Sequence, residues 1–332
     1  LIEPGVIELR ETAVPKPLRG EVLVKVKTAL TCGTDLKAFL RGHPMIPMPG
    51  VFGHEFSGVI ADVGKGVKEF KAGDEIMAVH SAPCLKCRYC KKKVFNLCEN
   101  IMNTKVLGAF AEYILLPAHI VKQNLFHKPA NLSFKEAALL EPLACVVHSM
   151  HSLNIRKKDK VLIIGTGPIG LLHLSLAKLK GAEVIITGLE HKRLTMAKDL
   201  GADIAIEPHN LINAIEELTD RIGVDFVFEC TGQLDVWENA VNYVRRGGTV
   251  ILFGGVKKGT TVTYDTYRLH YDEITLKGVF HFTSIDVKTA YNLLKDTLNL
   301  SPMISESYPL KDLNIALERL AKGEGIKYAI IP

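Results

Sequence analysis

The second half of the chain alternates short apolar segments with longer amphipathic ones, and this alternation limits the possible folds more than any other feature. From about residue 143, five segments have the pattern of buried strands: KVLIIGTG, AEVIITG, ADIAIEP, VDFVFECTG and GTVILFGG. Helix-like segments such as PIGLLHLSLAKLKG and HKRLTMAKDLG separate them. Apolar strands that alternate with helices are typical of a doubly wound parallel sheet. The sequence therefore predicts an α/β domain.

A glycine-rich turn follows the first of these strands. Gly165, Gly167 and Gly170 form G-T-G-P-I-G between KVLII and a helix that opens with Pro168 and Ile169. In this setting the first glycine permits a tight turn, the second lets the backbone approach a pyrophosphate, and the third allows close helix–sheet packing. The helix N-terminus offers free N–H groups and a positive dipole end to phosphates. We therefore predict a Rossmann dinucleotide-binding domain.

The next strand, EVIIT, ends in Gly188 instead of the acidic residue that bonds the ribose 2′-hydroxyl of NAD. Glu190 follows, and then His191, Lys192 and Arg193. The missing acid removes a repulsion against a 2′-phosphate, and the basic side chains can pair with one. Glu190 as a substitute acid, and a basic helix start exposed to solvent, are the alternatives. The sequence slightly favours NADP(H) over NAD(H).

The first 140 residues have a different pattern. Segments such as EVLVKVKTAL, SGVIADVG and GDEIMAVH alternate apolar and polar residues between glycines and prolines, as strands and turns do. The last fifty residues contain two amphipathic helical patterns, DVKTAYNLLKDTL and KDLNIALERLAKG, and a strand-like KYAIIP. At 332 residues the chain is too long for one ordinary core, so we expect two domains.

Charge, hydropathy and cysteine usage exclude several classes of function. The net charge of +5 is spread along the chain, which argues against a nucleic-acid binder. No apolar run reaches the ~18 residues of a membrane span, and no signal peptide is visible. The seven cysteines are clustered, which suits metal ligation in a reducing cytosol better than disulfides. We expect a cytoplasmic protein with no nucleic-acid or membrane partner.

Four cysteines within fifteen residues predict a metal site. Cys84, Cys87, Cys90 and Cys98 have the spacing C-x2-C-x2-C-x7-C, and four thiolates can close a tetrahedral zinc shell with no open position. An iron–sulfur cluster is one alternative, but the bacterial run is tighter and ends C-x3-C-P. A nucleic-acid-binding zinc ribbon is another, suggested by lysines 91–93, but no wider basic surface supports it. Structural zinc is the prediction.

A second set of ligand-type side chains lies upstream, in TCGTD and GHEFSG. Cys32, His54 and Glu55 supply sulfur, nitrogen and oxygen atoms suited to zinc. Taken singly, such residues are most often core or surface residues. Glycines bracket both segments, as a backbone that turns around a site requires.

Together these segments resemble the zinc-containing medium-chain dehydrogenases, in particular the sorbitol (L-iditol) and threonine dehydrogenase branch. The resemblance covers essentially the whole chain and rests on CGTDLKAF, PGVFGHEFSGVIADVG, the four-cysteine loop, LGAFAEY, EPLACVVH, GTGPIG, ECTG and LFGGVKKGTTVTYDT. It implies a mostly-β GroES-like catalytic domain (residues 1–142), a Rossmann domain (143–281), and a C-terminal segment (282–332) that returns to the catalytic domain. It also implies a homotetramer or homodimer.

The resemblance adds Glu141, in EPLACV, as a fourth position at a catalytic zinc. Glu55 and Glu141 are then both candidate ligands, and the sequence leaves open which of them binds zinc directly. Cys145 does not match a ligand position and is interpreted as a buried, small apolar residue. Thr34 takes the position of the hydroxyl that passes the alcohol proton towards solvent. Lys37 stands where threonine dehydrogenases and many sorbitol dehydrogenases have histidine, a departure that bears on the proton route and the substrate.

Further cofactor-binding residues are expected at the carboxyl ends of the parallel strands, where ligands bind in such sheets. These are Cys230, Thr231, Phe253, Gly254, Gly255 and Val256. In the resemblance, Val279, Phe280 and His281 match the segment on the nicotinamide side, with packing as an alternative role for His281. The remaining histidines considered are interpreted as structural or surface residues: His148, His151, His173 and His209.

The resemblance implies a zinc-dependent enzyme that transfers hydride between a secondary alcohol, most simply a sugar alcohol, and NAD(P). Two zinc ions per chain are implied, one catalytic and one structural. L-Threonine 3-dehydrogenase activity is the nearest alternative. A protein that binds NADPH without alcohol turnover is a further alternative, but such a protein has no need for an open metal site built from cysteine, histidine and two glutamates.

Overall fold

Two sheets, each with its own hydrophobic core, divide the chain into two units. The computed structural model describes residues 1–332. The first unit comprises Leu1–Cys145 and His281–Pro332, and the second comprises Val146–Phe280. The chain therefore leaves the first unit once and returns to it for its last segment. None of the helices combines the length and apolar character needed to cross a bilayer.

The sheet of the first unit has seven strands. They are β1 (Val22–Leu30), β2 (Glu55–Val63), β3 (Glu75–Val79), β4 (Tyr113–Leu116), β5 (Leu125–His127), β12 (Ile304–Pro309) and β13 (Lys327–Ile331). Their order is β12-β13-β1-β2-β3-β5, and β4 also pairs with β1. All pairs are antiparallel except β12 with β13. This mostly antiparallel sheet confirms the β-rich architecture predicted for the first part of the chain.

Helices surround this sheet. They are α1 (Gly33–Arg41), α2 (Arg88–Lys91), α3 (Ala118–Asn124), α4 (Phe134–Ala137), α5 (Leu140–His151), α11 (Ser284–Asp296) and α12 (Leu313–Ala321). The division between the two units falls within α5. Helix α1 lies in a region whose pattern predicts mainly strands and turns. It forms because Cys32 Sγ caps its N-terminus and because Ala38 and Phe39 pack against Leu317 of α12 and Tyr328 of β13.

The second unit is built on six parallel strands. They are β6 (Lys160–Ile164), β7 (Glu183–Thr187), β8 (Ile204–Ile206), β9 (Val224–Glu229), β10 (Val244–Leu252) and β11 (Thr275–Gly278). Its helices are α6 (Pro168–Leu179), α7 (His191–Asp199), α8 (Leu211–Thr219), α9 (Leu234–Asn239) and α10 (Thr266–Tyr271). The strand order β11-β10-β9-β6-β7-β8 is that of a doubly wound sheet.

The five strands predicted from the apolar segments are β6 to β10, so the α/β prediction is confirmed for this unit. The sixth strand, β11, is absent from the prediction because its short sequence TLKG lacks an apolar run and lies at the edge of the sheet. The order of the strands reverses between β6 and β9. Ligands of such sheets bind outside the carboxyl ends of the strands at this point.

His173 of α6 is fully buried in the second unit. Its Nδ1 donates to the Ile169 carbonyl at 2.8 Å, and its Nε2 accepts from the Ser149 hydroxyl at 2.8 Å. The ring also packs against Phe228 and Phe253. Burial lowers the pKa of His173 to about 4, so both nitrogens are satisfied in the neutral form.

We expect His173 to make stability depend on pH. Because its folded pKa of about 4 lies below the unfolded value of about 6.5, the unfolded chain binds the proton more tightly. Stability is therefore fully present above pH 6.5 and falls as the pH drops towards 4. Between pH 7 and pH 5 the loss from this group amounts to about 2 kcal/mol.

Urea unfolding of the wild type and His173→Leu at both pH values measures this contribution. The variant should lose about 2 kcal/mol less than the wild type. His209→Leu is the control, because the His209 side chain is 69% exposed, and it should follow the wild type. Parallel losses in the wild type and His173→Leu would contradict the prediction.

Candidate active site

Three of the predicted ligands meet where β1 ends and β2 begins. Cys32 follows β1 and caps α1, while His54 directly precedes Glu55, the first residue of β2. Ligand atoms of these three side chains all lie within 4.8 Å of one another. Gly53 turns the chain into β2 with φ +86°, and a side chain there would strike the Phe110 ring. The arrangement of sulfur, nitrogen and oxygen fits a zinc ion.

Asp35 orients the histidine of this group. His54 Nδ1 lies 3.3 Å from Asp35 Oδ1, and the carboxylate is completely buried. Burial on its own lowers the pKa of His54, but Asp35 and Cys32 outweigh it and hold the pKa well above its ordinary value. A carboxylate on one ring nitrogen fixes the tautomer and leaves the other nitrogen for a metal.

Lys327, which the sequence did not single out, neutralises Glu55. Its Nζ lies 2.7 Å from Glu55 Oε1 and 2.5 Å from Oε2, and it also donates to the Thr31 carbonyl at 2.9 Å. Burial alone would lower the pKa of Lys327, but Glu55 reverses this and raises it. Burial raises the pKa of Glu55, and Lys327 offsets only part of that effect, so the net shift is upward. The pair is therefore held as buried ions, with both Glu55 oxygens engaged.

Glu141, the second residue of α5, lies outside the 4.8 Å group but belongs to the same region. Burial raises its pKa to about 7, while His54 lowers it. Its Oε1 lies 3.4 Å from Nδ1 of His80 and accepts from Cys145 Sγ at 3.8 Å. The interpretation of Cys145 as a buried apolar residue is therefore wrong. The residue is only partly buried, and its thiol donates to the Glu141 carboxylate.

Two further histidines extend the site, and His80 is one that the sequence analysis missed. Its ring lies edge-on to His54 at 5.1 Å and to His281 at 5.3 Å between ring centroids. His281 has a left-handed φ of 62° and bonds Ser81 Oγ through Nε2 at 2.6 Å. The only signal in the sequence is a polar pair, His80 and Ser81, directly after the apolar strand β3.

Thr34, the predicted proton carrier, lies beside Cys32 and donates its backbone N–H to Cys32 Sγ at 3.5 Å.

The four cysteines of the loop form a separate cluster. The sulfurs of Cys84, Cys87, Cys90 and Cys98 lie within 4.8 Å of one another, with 4.0 Å between Cys84 and Cys90 and 3.9 Å between Cys87 and Cys98. A tetrahedral zinc ion with bonds of about 2.3 Å places its sulfurs about 3.8 Å apart. The backbone N–H of Lys86 lowers the pKa of Cys84 to about 6, whereas burial raises that of Cys90 to about 12. The spacing fits one metal ion better than a multi-iron cluster, whose cysteine ligands stand farther apart.

The glycine-rich turn has the predicted geometry. Gly165 has φ +114° and donates its N–H to the Thr187 carbonyl at 2.8 Å. Gly167 is the N-cap of α6, which begins at Pro168 and continues through Ile169. A Cβ at Gly170 would overlap the Gly165 carbonyl oxygen, whereas one at Gly167 would meet no atom within 4 Å. Gly170 therefore lets α6 pack closely against the turn, whereas Gly167 leaves open space beside it.

The end of β7 has no room for an acidic side chain. A Cβ at Gly188 would overlap Thr166 Oγ1 and lie 2.9 Å from Thr166 Cβ, and Thr166 is buried. Glu190, the N-cap of α7, lies 3.9 Å from an Arg193 guanidinium nitrogen, and His191 begins the helix. The packing of Thr166 therefore favours glycine at position 188, where an acidic residue is missing.

Glu229, at the end of β9, also escaped the sequence analysis. Its buried Oε1 accepts from the N–H of Thr231 at 2.6 Å and of Gly232 at 2.9 Å, and so it fixes the turn after Cys230. The predicted residues after β10 lie next to it, since the N–H groups of Phe253 and Gly254 donate to the Glu229 carbonyl, and Gly255 follows.

Three buried polar atoms at this edge of the sheet have no hydrogen-bond partner in the chain. They are Thr166 Oγ1, Thr187 Oγ1 and Glu229 Oε2. Unpaired buried polar atoms are costly, and a polar ligand at this edge would satisfy them. The residues therefore fit a dinucleotide. The other predicted cofactor residues, Val279 and Phe280, follow β11 and end the second unit.

Known proteins match the chain along its length. Residues 18–125 match the alcohol dehydrogenase GroES-like domain, and residues 168–296 match the zinc-binding dehydrogenase family. A sorbitol dehydrogenase from Halalkalibacterium halodurans is 32% identical over 99% of this chain and 96% of its own. A D-arabitol-phosphate dehydrogenase from Enterococcus avium is 34% identical over 96% of this chain and 92% of its own.

A solved structure agrees with these matches. A protein from Sinorhizobium meliloti 1021, described as a zinc-binding dehydrogenase and bound to NADP, superimposes with a TM-score of 0.89 at 29% identity, covering 99% of this chain and 96% of its own. The fold and the matches define an oxidoreductase that acts on alcohols. The chain belongs to the zinc-containing medium-chain dehydrogenases, in the sorbitol and threonine dehydrogenase branch.

Replacing Lys327 by Met should destabilise the protein strongly. The substitution leaves the Glu55 carboxylate buried without its counterion, which costs about 3–5 kcal/mol in comparable cases. The double variant Lys327→Met/Glu55→Gln should recover much of this loss because no unpaired charge remains. Denaturant unfolding measures both, with the exposed Lys322→Met as control. A single variant as stable as the control would show that the pair is not held as ions.

The two glycines of the turn should respond differently to alanine. Gly170→Ala should lower the free energy of unfolding by about 1–3 kcal/mol because its methyl overlaps the backbone. Gly167→Ala should leave stability within about 0.5 kcal/mol but weaken NADPH binding by about tenfold, since the methyl enters the space beside the turn. Urea unfolding and NADPH fluorescence titration separate the two effects. Equal loss of stability in both variants would refute the assignment.

Proposed function

We propose that the protein is a zinc-dependent, NADP(H)-linked dehydrogenase that oxidises a secondary alcohol of a polyol. The observation that carries this proposal is the group formed by Cys32, His54 and Glu55, whose ligand atoms all lie within 4.8 Å of one another. Asp35 supports His54, and Lys327 supports Glu55. A mixed set of this kind is typical of catalytic zinc sites, which keep a position for substrate. A site with only a structural role would be closed by four protein ligands.

A zinc ion held by Cys32, His54 and a carboxylate would act as a Lewis acid that lowers the pKa of a bound alcohol. The residues around it have separate tasks. Asp35 keeps His54 in one tautomer, and Lys327 cancels the charge of Glu55. The Thr34 hydroxyl, in the first turn of α1, is the group that we propose relays the alcohol proton: it accepts that proton while it releases its own towards solvent.

The second unit supplies the binding site for the hydride acceptor. NADP(H) carries the hydride chemistry at its nicotinamide, while the protein binds and orients it. The turn through Gly165 and Gly167 would take the pyrophosphate at the start of α6. The lack of room for an acid at Gly188, together with the basic start of α7, supports NADP(H) over NAD(H).

We propose that the four-cysteine loop holds a second, structural zinc ion. Four sulfurs close its shell, so it has no position for a substrate. We also propose that residues 1–142 and 282–332 form the catalytic part and residues 143–281 the cofactor domain, and that the protein forms a homodimer or homotetramer. The edge strand β11, which pairs on one side only, supports self-association.

The polyol substrate is supported by two relatives whose names are sorbitol dehydrogenase and D-arabitol-phosphate dehydrogenase. L-Threonine oxidation is the nearest enzymatic alternative. Lys37 does not separate the two substrates, because threonine dehydrogenases and many sorbitol dehydrogenases both have histidine there. A binding protein without turnover remains the other outcome of the test below.

Initial rates of NADP⁺ and NAD⁺ reduction test the proposal. The substrates are sorbitol, iditol, xylitol, galactitol, D-arabitol phosphate, 2,3-butanediol and L-threonine, each assayed with and without a zinc chelator. We expect chelator-sensitive reduction of NADP⁺ by a polyol or its phosphate. Cys32→Ala should lower kcat/KM more than about a hundredfold, because the metal supplies several kcal/mol of transition-state stabilisation.

NADPH binding by Cys32→Ala is the control and should equal that of the wild type, because Cys32 lies in the other unit from the glycine-rich turn. Turnover with NAD⁺ alone would overturn the cofactor assignment. Turnover with L-threonine alone would replace the polyol by an amino acid. Tight NADPH binding without any turnover would favour a binding protein.

A further inference from the structure

His80 is a buried histidine whose ring nitrogen faces a ligand-type carboxylate. It follows β3 and is 6% exposed. Its Nδ1 makes no regular hydrogen bond in the chain, and Glu141 Oε1 approaches it to 3.4 Å. The rings of His54, His281 and Phe282 pack around it with centroid distances of 5.1, 5.3 and 5.9 Å. The ring is therefore held in place, with an unpaired buried nitrogen close to one oxygen of Glu141.

The two carboxylates of the site are engaged in different ways. Lys327 binds both oxygens of Glu55. Glu141 receives its contacts at Oε1 only, from His80 Nδ1 and from the thiol of Cys145. Glu55 lies closer to Cys32 and His54. The contacts of Glu141, however, are made through Oε1, which leaves Oε2 for a metal.

We infer that His80 is a positioning residue that holds Oε1 of Glu141 and so presents Oε2 to the zinc ion. This inference rests on the proposed function and deepens it, because it assigns direct ligation to Glu141 and not to Glu55. Partners that hydrogen-bond a metal ligand fix its orientation, and their loss typically costs 10–100-fold in metal affinity. A neutral imidazole with its proton on Nδ1 suffices for this contact.

The remaining donor to Oε1 cannot replace His80. A thiol is a weak hydrogen-bond donor, and the Cys145 Sγ lies 3.8 Å from the oxygen. Without the imidazole, the buried carboxylate can rotate about its terminal torsion, which is broad for glutamate. The expected result is a ligand that is present but no longer fixed.

Three substitutions of His80 test the inference. His80→Asn places an amide N–H close to the position of Nδ1, whereas His80→Gln places it close to the position of Nε2. His80→Phe keeps a ring and removes both nitrogens. His127→Phe is the control, because this histidine belongs to the same unit and its side chain is 57% exposed. Thermal unfolding of each variant checks that it is folded.

The readout is the binding of Co²⁺ at the catalytic site of enzyme whose four-cysteine site retains zinc. Affinity comes from titration, and the ligand geometry comes from the visible d–d absorption. We expect His80→Phe and His80→Gln to bind Co²⁺ 10–100-fold more weakly with a shifted spectrum. His80→Asn and His127→Phe should stay within about threefold of the wild type, with an unshifted spectrum.

Wild-type affinity and spectrum in His80→Phe or His80→Gln would overturn the inference, as would equal defects in His80→Asn and His80→Gln. Failure of the proposed function gives a different result, since wild-type protein would then bind no Co²⁺ at Cys32 and show no thiolate-to-cobalt band.

Glu141→Gln provides a second comparison. If Glu141 is the ligand that His80 positions, adding His80→Phe to Glu141→Gln should weaken Co²⁺ binding by less than twofold more, and a full additive loss would contradict the inference.

Discussion

The buried ion pair between Glu55 and Lys327 is the contact on which the first unit depends. The two residues are 272 positions apart, and the same lysine binds the Thr31 carbonyl at the end of β1. Lys327 opens β13, and Leu30 of β1 pairs with both Glu55 and Ala329, so the ion pair lies across the strands that carry the site. Charges buried at this depth are tolerated only when they are paired. The C-terminal segment is therefore needed to complete the site.

The same pairing recurs throughout the candidate site. Each buried carboxylate faces one basic side chain: Asp35 faces His54, Glu55 faces Lys327, and Glu141 faces His80. The basic partners differ in how many carboxylate oxygens they contact. A lysine fully occupies its carboxylate, while a histidine contacts one oxygen and leaves the other. In the proposed site, this difference gives the three acids separate roles: orienting a ligand, balancing charge, and offering an oxygen to a metal.

Features encoded by neighbouring residues could be predicted from the sequence, and those that depend on distant partners could not. Strands β6 to β10, the turn at Gly165 and the cluster of four cysteine sulfurs each follow from a local pattern or spacing. In the sequence, His80 is only a polar residue after a strand, and Lys327 is only a lysine at the start of one. Their significance depends on Glu141 and Glu55, which only the folded sheet brings to them. Cys145 is a similar case, because its hydrogen bond depends on the site around Glu141.

Packing extends the sequence argument about the cofactor. A glycine at position 188 can be read as the simple loss of an acid, which another carboxylate such as Glu190 could replace. The fold shows that Thr166 occupies the space that a side chain at 188 would need. Glu190 lies at the N-cap position of α7, and its carboxylate is 3.9 Å from an Arg193 guanidinium nitrogen, which competes with a ribose hydroxyl for it. Restoring an acid at 188 would therefore require a smaller residue at 166 as well, so the proposed preference for NADP(H) depends on two neighbouring turns and not on one residue.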